Sequence, residues 1–134
     1  MTAGRLALKV VTPTRVAVEA EVDEVTLPGA LGALGILPGH TPLLAALRIG
    51  ELSYRQGMRE HFLALQWGFA EVAGDVVTVL AEVAERPEEI DVEQARSDKQ
   101  AAEAAMKTAS GEEFEHQRAH LEAAVTRITV ATKR

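Results

Sequence analysis

Histidine is the first residue type to weigh for chemistry in this chain, because imidazole titrates near neutral pH and ligates metals. There are four, His40, His61, His116 and His120. Only His116 and His120 stand at the i, i+4 spacing that puts two side chains on one face of a helix. A zinc protease carries a general-base glutamate between such a pair, whereas Gln117-Arg118-Ala119 fill the gap here. The absence of cysteine excludes thiolate metal sites and thiol nucleophiles. No Gly-x-Ser-x-Gly elbow, Walker loop or motif-placed carboxylate pair occurs. No catalytic residue, no metal site and no cofactor is expected, and His40 is the one histidine read as functional.

His40 closes the most informative stretch, which runs from Leu27-Pro28-Gly29 through Leu31, Gly32, Leu34, Gly35 and Ile36 to Pro38-Gly39-His40-Thr41-Pro42. Each Pro-Gly pair suits a type II turn, with proline fixing φ at the first central position and glycine supplying positive φ at the second. Between the turns, the apolar residues show no polar alternation that would bury them as an ordinary strand. The stretch therefore reads as a preformed protein-docking loop, and the docking candidates are Leu31, Leu34, Ile36, Pro38, Gly39 and His40. The competing reading is that these residues plug one end of a sandwich.

The elements around that loop follow from patterning. At 134 residues the chain has room for one main domain and a small appendage. Leu6, Leu8 and Val10 alternate, as do Val16, Val18, Ala20 and Val22, which is the period of a half-buried strand. Short strands continue at Val25 to Leu27, Leu43 to Leu47, Glu51 to Tyr54, His61 to Leu65, Phe69 to Val72 and Val76 to Leu80. Gly74-Asp75 occupies the place of a two-residue hairpin loop. Strands this close together predict an antiparallel β-sandwich over 1–86.

After Arg86-Pro87, glycine and strand formers give way to Ala, Glu, Gln, Lys and Arg, so 87–134 is predicted to be an antiparallel two-helix hairpin. Asp91 with Gln94, and Ser110 with Glu113, have the chemistry of capping boxes on either side of a break at Ala109-Ser110-Gly111. Val92, Ala95, Ala102 and Met106 line one face of the first helix; Phe114, Leu121, Val125 and Ile128 line one face of the second. Buried methyl groups contribute far less than the roughly 1.5 to 3 kcal/mol of a buried Leu or Phe, so the hairpin is expected to detach more easily than the sandwich unfolds.

A formal net charge of −6 speaks against nucleic acid as a partner, because phosphate affinity rests on clustered Lys and Arg. Met1 to Val11 lacks the layout of a signal peptide, and the sequence contains no apolar run of about 18 residues. Any association with a membrane is expected to run through another protein.

Over essentially its full length, the chain resembles the epsilon subunit of bacterial F-type ATP synthases. The resemblance is carried by Gly35-Ile36-Leu37-Pro38-Gly39-His40-Thr41-Pro42-Leu43-Leu44, by Gly68-Phe69-Ala70-Glu71-Val72 followed by Val77-Thr78-Val79-Leu80-Ala81-Glu82, and by Ala84-Glu85-Arg86-Pro87-Glu88-Glu89-Ile90-Asp91. It implies a noncatalytic rotor subunit at the cytoplasmic face of the bacterial inner membrane. The sandwich would be fixed to the gamma subunit and rest on the ring of c subunits. The helices would lie either folded on the sandwich or extended along gamma into the catalytic alpha/beta head, where they restrain ATP hydrolysis.

Two departures from the family pattern stand out. Ala33 occupies the loop position where many relatives carry an acidic residue that pairs with the c ring. The Ile90-Asp91-Val92-Glu93-Gln94-Ala95 segment has Gln94 where nucleotide-binding relatives carry Arg, which leaves Ile90, Asp91 and Ala95 as an incomplete nucleotide motif and Asp91 best read as an N-cap. The alternative is a freestanding β-sandwich that binds a peptide or sugar. It would want an aromatic strip, and Tyr54, Phe62, Trp67, Phe69 and Phe114 are scattered along the sequence.

Overall fold

The computed structural model describes residues 4–134. The first positions of the 1–86 unit, and of the stretch from Met1 read for a leader, lie outside the described residues. Eight strands precede two helices: β1 Leu6–Val11, β2 Val16–Val22, β3 Glu24–Gly29, β4 Gly32–Ile36, β5 Leu43–Leu47, β6 Gly50–Gln56, β7 Arg59–Ala73 and β8 Val76–Glu85. A 3₁₀ turn at Pro87–Glu89 leads into α1 Val92–Met106 and α2 Gly111–Ala131.

The expected order of β then α is what the chain adopts, with differences inside the sandwich. His61 to Leu65 and Phe69 to Val72 are halves of one 15-residue strand, β7, and not separate strands. Its first half pairs with β6 and its second half with β5, while β8 pairs with it from Ala64 to Ala73. The ladder changes partner at Trp67-Gly68, where Trp67 takes φ +48. A Cβ on Gly68 would collide with the Leu80 carbonyl oxygen and lie 2.9 Å from the Ala81 Cα, so the crossing backbones approach as closely as only glycine allows. The sandwich is also not wholly antiparallel, because β1 runs parallel to β8 from Ala7↔Val76 to Val11↔Leu80.

The core is filled from the inward positions of these strands: Leu6, Leu8 and Val10 of β1, Val25 and Leu27 of β3, Leu52 of β6, Leu63, Leu65 and Val72 of β7, and Val77 and Val79 of β8. Each such side chain contributes roughly 1.5 to 3 kcal/mol on burial. Val16 does not join them. A register shift between Val10 and Val11 displaces the start of β2, so Ala17 is buried in place of Val16. The β7–β8 hairpin forms as expected, with φ +58 at Gly74 and +62 at Asp75, the two positive values that a type I′ turn requires.

α1 and α2 pack against each other as an antiparallel pair, and α2 rests on β6 and β7. Asp91 caps α1 by accepting a hydrogen bond from the Gln94 amide at 3.0 Å, but the Gln94 side chain donates to Asp98 and does not complete a box. Ser110 occupies the N-cap position of α2 without a side-chain bond, and the Glu113 side chain accepts from Gln117 and closes no capping box. The inward stripe of α2 is rotated from the expected one. Ala124, Val130 and Ala131 are buried, and Val125 faces solvent.

Candidate functional site

The stretch from Leu27 to Pro42 is a hairpin followed by a loop, and not one continuous loop. Pro28-Gly29 makes no turn; it ends β3, and the chain reverses at Ala30-Leu31 before β4 pairs back along β3 from Gly29↔Gly32 to Val25↔Ile36. The strand does alternate, with Leu34 and Ile36 inward and Ala33 and Gly35 outward. Small residues occupy the positions where polar ones were sought, which hid the period. The second Pro-Gly pair does form the expected type II turn. Gly39 has φ +83, and the His40 amide donates to the Leu37 carbonyl at 3.1 Å.

This arrangement divides the docking candidates. Leu31 projects from the hairpin tip and is fully exposed. Leu34 is half-buried against the core. Ile36 is 0% exposed and is removed from the candidate surface, because it belongs to the core itself. Pro38, Gly39 and His40 lie beyond the far end of β4, roughly 20 Å of extended chain from Leu31. The Gly39 amide donates to Asp75 Oδ1 at 2.7 Å, which ties this turn to the β7–β8 turn. His40 Nδ1 lies 2.7 Å from the Thr41 carbonyl oxygen, an acceptor only, so Nδ1 carries the proton and Nε2 is left to accept.

An exposed apolar face continues from the Leu31 tip. The Ala30 amide donates to the Ala46 carbonyl, Ala46 sits opposite Phe69, and Phe69 sits opposite Leu80. Trp67, Phe69 and Leu80 are each more than half exposed, and Leu44 flanks them. Two shallow depressions border Trp67 and Phe69, one beside Ala30 and Arg48, the other beside Pro13 and Glu82. Trp67 and Phe69 had read as scattered aromatics. The signal was present in the alternation: Ala70 and Val72 face in, so Phe69 must face out. A contiguous exposed apolar face of this kind is a candidate surface for a protein contact.

The helices are held on the sandwich by few apolar groups and several charged ones. Beneath α2, Ala64, Ile90, Val130 and Ala131 form a small cluster separate from the main core, flanked by Phe62 and Val92. Around it, the Arg127 guanidinium donates to both carboxylate oxygens of Glu85, at 2.8 and 3.2 Å. Arg48 meets Glu122 at 3.2 Å, and Arg134 donates to the carbonyls of Pro87 and Ile90. Arg127 went unread in the sequence, although with Ala124 and Ala131 it forms an i, i+3, i+7 stripe, and a lone charge on a buried stripe signals a partner.

The linker is fastened as well. Arg15 reaches across from the β1–β2 loop to both Glu89 oxygens, at 2.6 and 2.9 Å, and Arg86 donates to the Ala17 carbonyl. The Arg15 hydrogen bonds hold the Glu89 carboxyl down at about 2. At the far end of the sandwich, the Gly57 amide, then Arg5 and Arg55, lower the Asp23 carboxyl.

The remaining candidates are not brought together. Ile90 and Ala95 are buried, and Asp91 is engaged in capping, so none of the three offers a donor to a phosphate. His116 and His120 sit with ring centroids 5.2 Å apart on the exposed side of α2, and no group of three metal-ligating side chains occurs among the described residues. His61 stacks on Tyr54 at 4.8 Å. No helix among the described residues is long and apolar enough to cross a membrane.

A β-sandwich with an exposed apolar face, carrying a charge-latched helical pair, describes a class of noncatalytic assembly subunit. Residues 5–87 match the ATP synthase delta/epsilon chain β-sandwich domain, and residues 88–132 match the long α-helix domain of the same family. The chain belongs to the ATP synthase delta/epsilon chain family. It is 48% identical to the ATP synthase epsilon chain of Geotalea uraniireducens (strain Rf4), an alignment covering 98% of this chain and 96% of the relative. It is 46% identical to the epsilon chain of Geobacter sp. (strain M21), with the same coverage. Its fold matches a chain in the Euglena gracilis mitochondrial ATP synthase at TM-score 0.83 and 22% identity, covering 98% of this chain and 82% of the other. A chain in the Tetrahymena thermophila mitochondrial ATP synthase central stalk and c ring matches at TM-score 0.59 and 15% identity, covering 96% and 94%. A freestanding peptide- or sugar-binding module has no support from these relatives.

Proposed function

We propose that this chain is a noncatalytic central-stalk subunit of an F-type ATP synthase, at the cytoplasmic face of the bacterial inner membrane. In this reading the unit 1–86 seats on the gamma subunit and the c ring, and the unit 87–134 is the regulatory part that reaches the alpha/beta head when extended. The reading is supported by one observation: the sandwich exposes two separate apolar or turn surfaces, while the helices rest on a small cluster and a few ion pairs. Two surfaces suit two partners. One is the Leu31 tip with Leu34 at its base and the Trp67, Phe69 and Leu80 face; the other is the Pro38-Gly39-His40 turn. Ala33 on β4 presents no charge for an ion pair, so the contact at the tip is apolar, through Leu31. A hairpin latched mainly by charged groups can leave without disturbing the main core, as a two-position regulator requires.

The test is truncation after Pro87 in the assembled complex. The shortened chain is expected to co-purify with gamma and the c ring and to raise ATP hydrolysis. Loss of co-purification would place docking in the helices. Unchanged hydrolysis would remove their inhibitory role.

A further inference from the structure

Residues 37–42, between β4 and β5, form a turn with little backbone pairing of its own. Pro38 and Pro42 have no N–H to give. The His40 amide donates to the Leu37 carbonyl and His40 Nδ1 to the Thr41 carbonyl, so both bonds stay inside the loop. Among the described residues, one hydrogen bond alone joins this loop to another part of the chain: the Gly39 amide donates to Asp75 Oδ1 at 2.7 Å, across 36 positions of sequence. Gly39 is also the residue whose positive φ, +83, makes the type II turn, so the tether is fixed at the bend itself.

Asp75 is itself held from several sides. It is the second residue of the β7–β8 turn, at φ +62, a conformation that Asp, Asn and Gly tolerate best. Its carbonyl oxygen accepts from the Ala7 amide at 2.9 Å, which fastens the same residue to the start of β1, and Ala73 and Val76 pair on either side of the turn. Its carboxylate enters no ion pair among the described residues. The hairpin turn alone would be met by glycine at this position. An acceptor that reaches Gly39 is an extra requirement, and the charged one present makes a stronger bond than a neutral one.

We propose that Asp75 is the positioning residue of the Pro38-Gly39-His40 turn: its carboxylate, carried on the rigid end of the β7–β8 hairpin, sets the turn in its docking shape through the Gly39 amide. This rests on the reading of that turn as one of the two docking surfaces. A loop fixed before contact spares assembly the cost of ordering it, so the effect of Asp75 is on affinity for the partner and reaches the partner through Gly39.

The test compares three full-length variants. Asp75→Gly keeps the positive φ of the hairpin turn and removes the acceptor; Asp75→Asn keeps both; His40→Ala probes the contact turn itself. Each chain is titrated onto the stalk complex of gamma subunit and c ring depleted of its own copy, well below its melting temperature so that a folding defect is separable, and the free chains are followed by amide NMR. Asp75→Gly should weaken retention about tenfold, the worth of one charge-assisted hydrogen bond, and shift the Gly39 amide resonance while the β7 and β8 amides stay protected. Asp75→Asn should restore both readouts. Wild-type retention of Asp75→Gly with weakened His40→Ala would overturn the positioning role and leave the turn as a contact. Wild-type retention of both would overturn the docking role of the turn as well. An Asp75→Asn chain as weak as Asp75→Gly would assign the loss to charge and not to the tether, and would also overturn the proposal.

Discussion

Arg127 of α2 and Glu85, the last residue of β8, form a two-bond ion pair whose side chains are only 17% and 21% exposed. It is the best-shielded ion pair of the seam between the two halves; Arg48–Glu122, by contrast, is 51% and 33% exposed and worth about 0 to 1 kcal/mol. A partly buried charged hydrogen bond is worth about 1.5 to 3 kcal/mol. Glu85→Gln should therefore speed amide exchange in 92–131 by about tenfold or more and leave the core strands protected. Equal loss of protection in both halves would show that the helices and the sandwich open as one unit.

The Arg15–Glu89 pair makes the linker sensitive to acid. Glu89 titrates at about 2 in the folded chain, below the ordinary glutamate value of about 4.3. A depressed carboxyl stabilises the folded form fully above its unfolded value, and the contribution fades as pH falls from about 4.3 to about 2. Carboxyl-detected NMR titration of Glu89 should place its midpoint near the lower figure, and Arg15→Ala should move it toward the upper one. A midpoint unaffected by Arg15→Ala would assign the depression to the Arg86 amide, which also donates to Glu89, at 2.8 Å.

At the strand crossing, Gly68→Ala should be among the most damaging single changes. The added methyl group meets the Leu80 carbonyl and the Ala81 Cα, both backbone atoms of the neighbouring strand, and neither can swing aside. A loss of about 3 kcal/mol or more in urea unfolding is expected. Gly35→Ala is the control, because a Cβ there meets nothing within 4 Å; it should change stability by less than about 0.5 kcal/mol.

Residue patterning carries much of this architecture and misses definable parts of it. Period-two runs such as Leu6, Leu8 and Val10 mark strands because their outward neighbours are polar or small and their inward ones are large. β4 hid because Ala33 and Gly35 mimic loop composition while Leu34 and Ile36 do the packing. The continuity of β7 hid because Trp67-Gly68 reads as a break, and the close approach of Gly68 to β8 is a tertiary fact. Ile36 as a docking residue failed for the same reason as β4. The latch formed by Arg127 and Glu85 joins positions 42 apart, a pairing visible only once the helices are placed on the sheet.

The apolar contact at the hairpin tip can be separated from core packing by comparing two leucines. Leu31 is fully exposed, so Leu31→Glu removes no folded contact and should leave unfolding unchanged within about 0.5 kcal/mol. Leu34 packs against the core and lies over Gly29, so Leu34→Glu buries part of a charge and should cost about 1 to 3 kcal/mol. If the tip docks on a stalk partner, Leu31→Glu should weaken co-purification with the gamma subunit or the c ring at full thermal stability, and Phe69→Glu should weaken retention on whichever partner covers the same face. Full assembly of both the Leu31 and Phe69 variants would move docking to the Pro38-Gly39-His40 turn, where His40→Ala would then be the variant that fails.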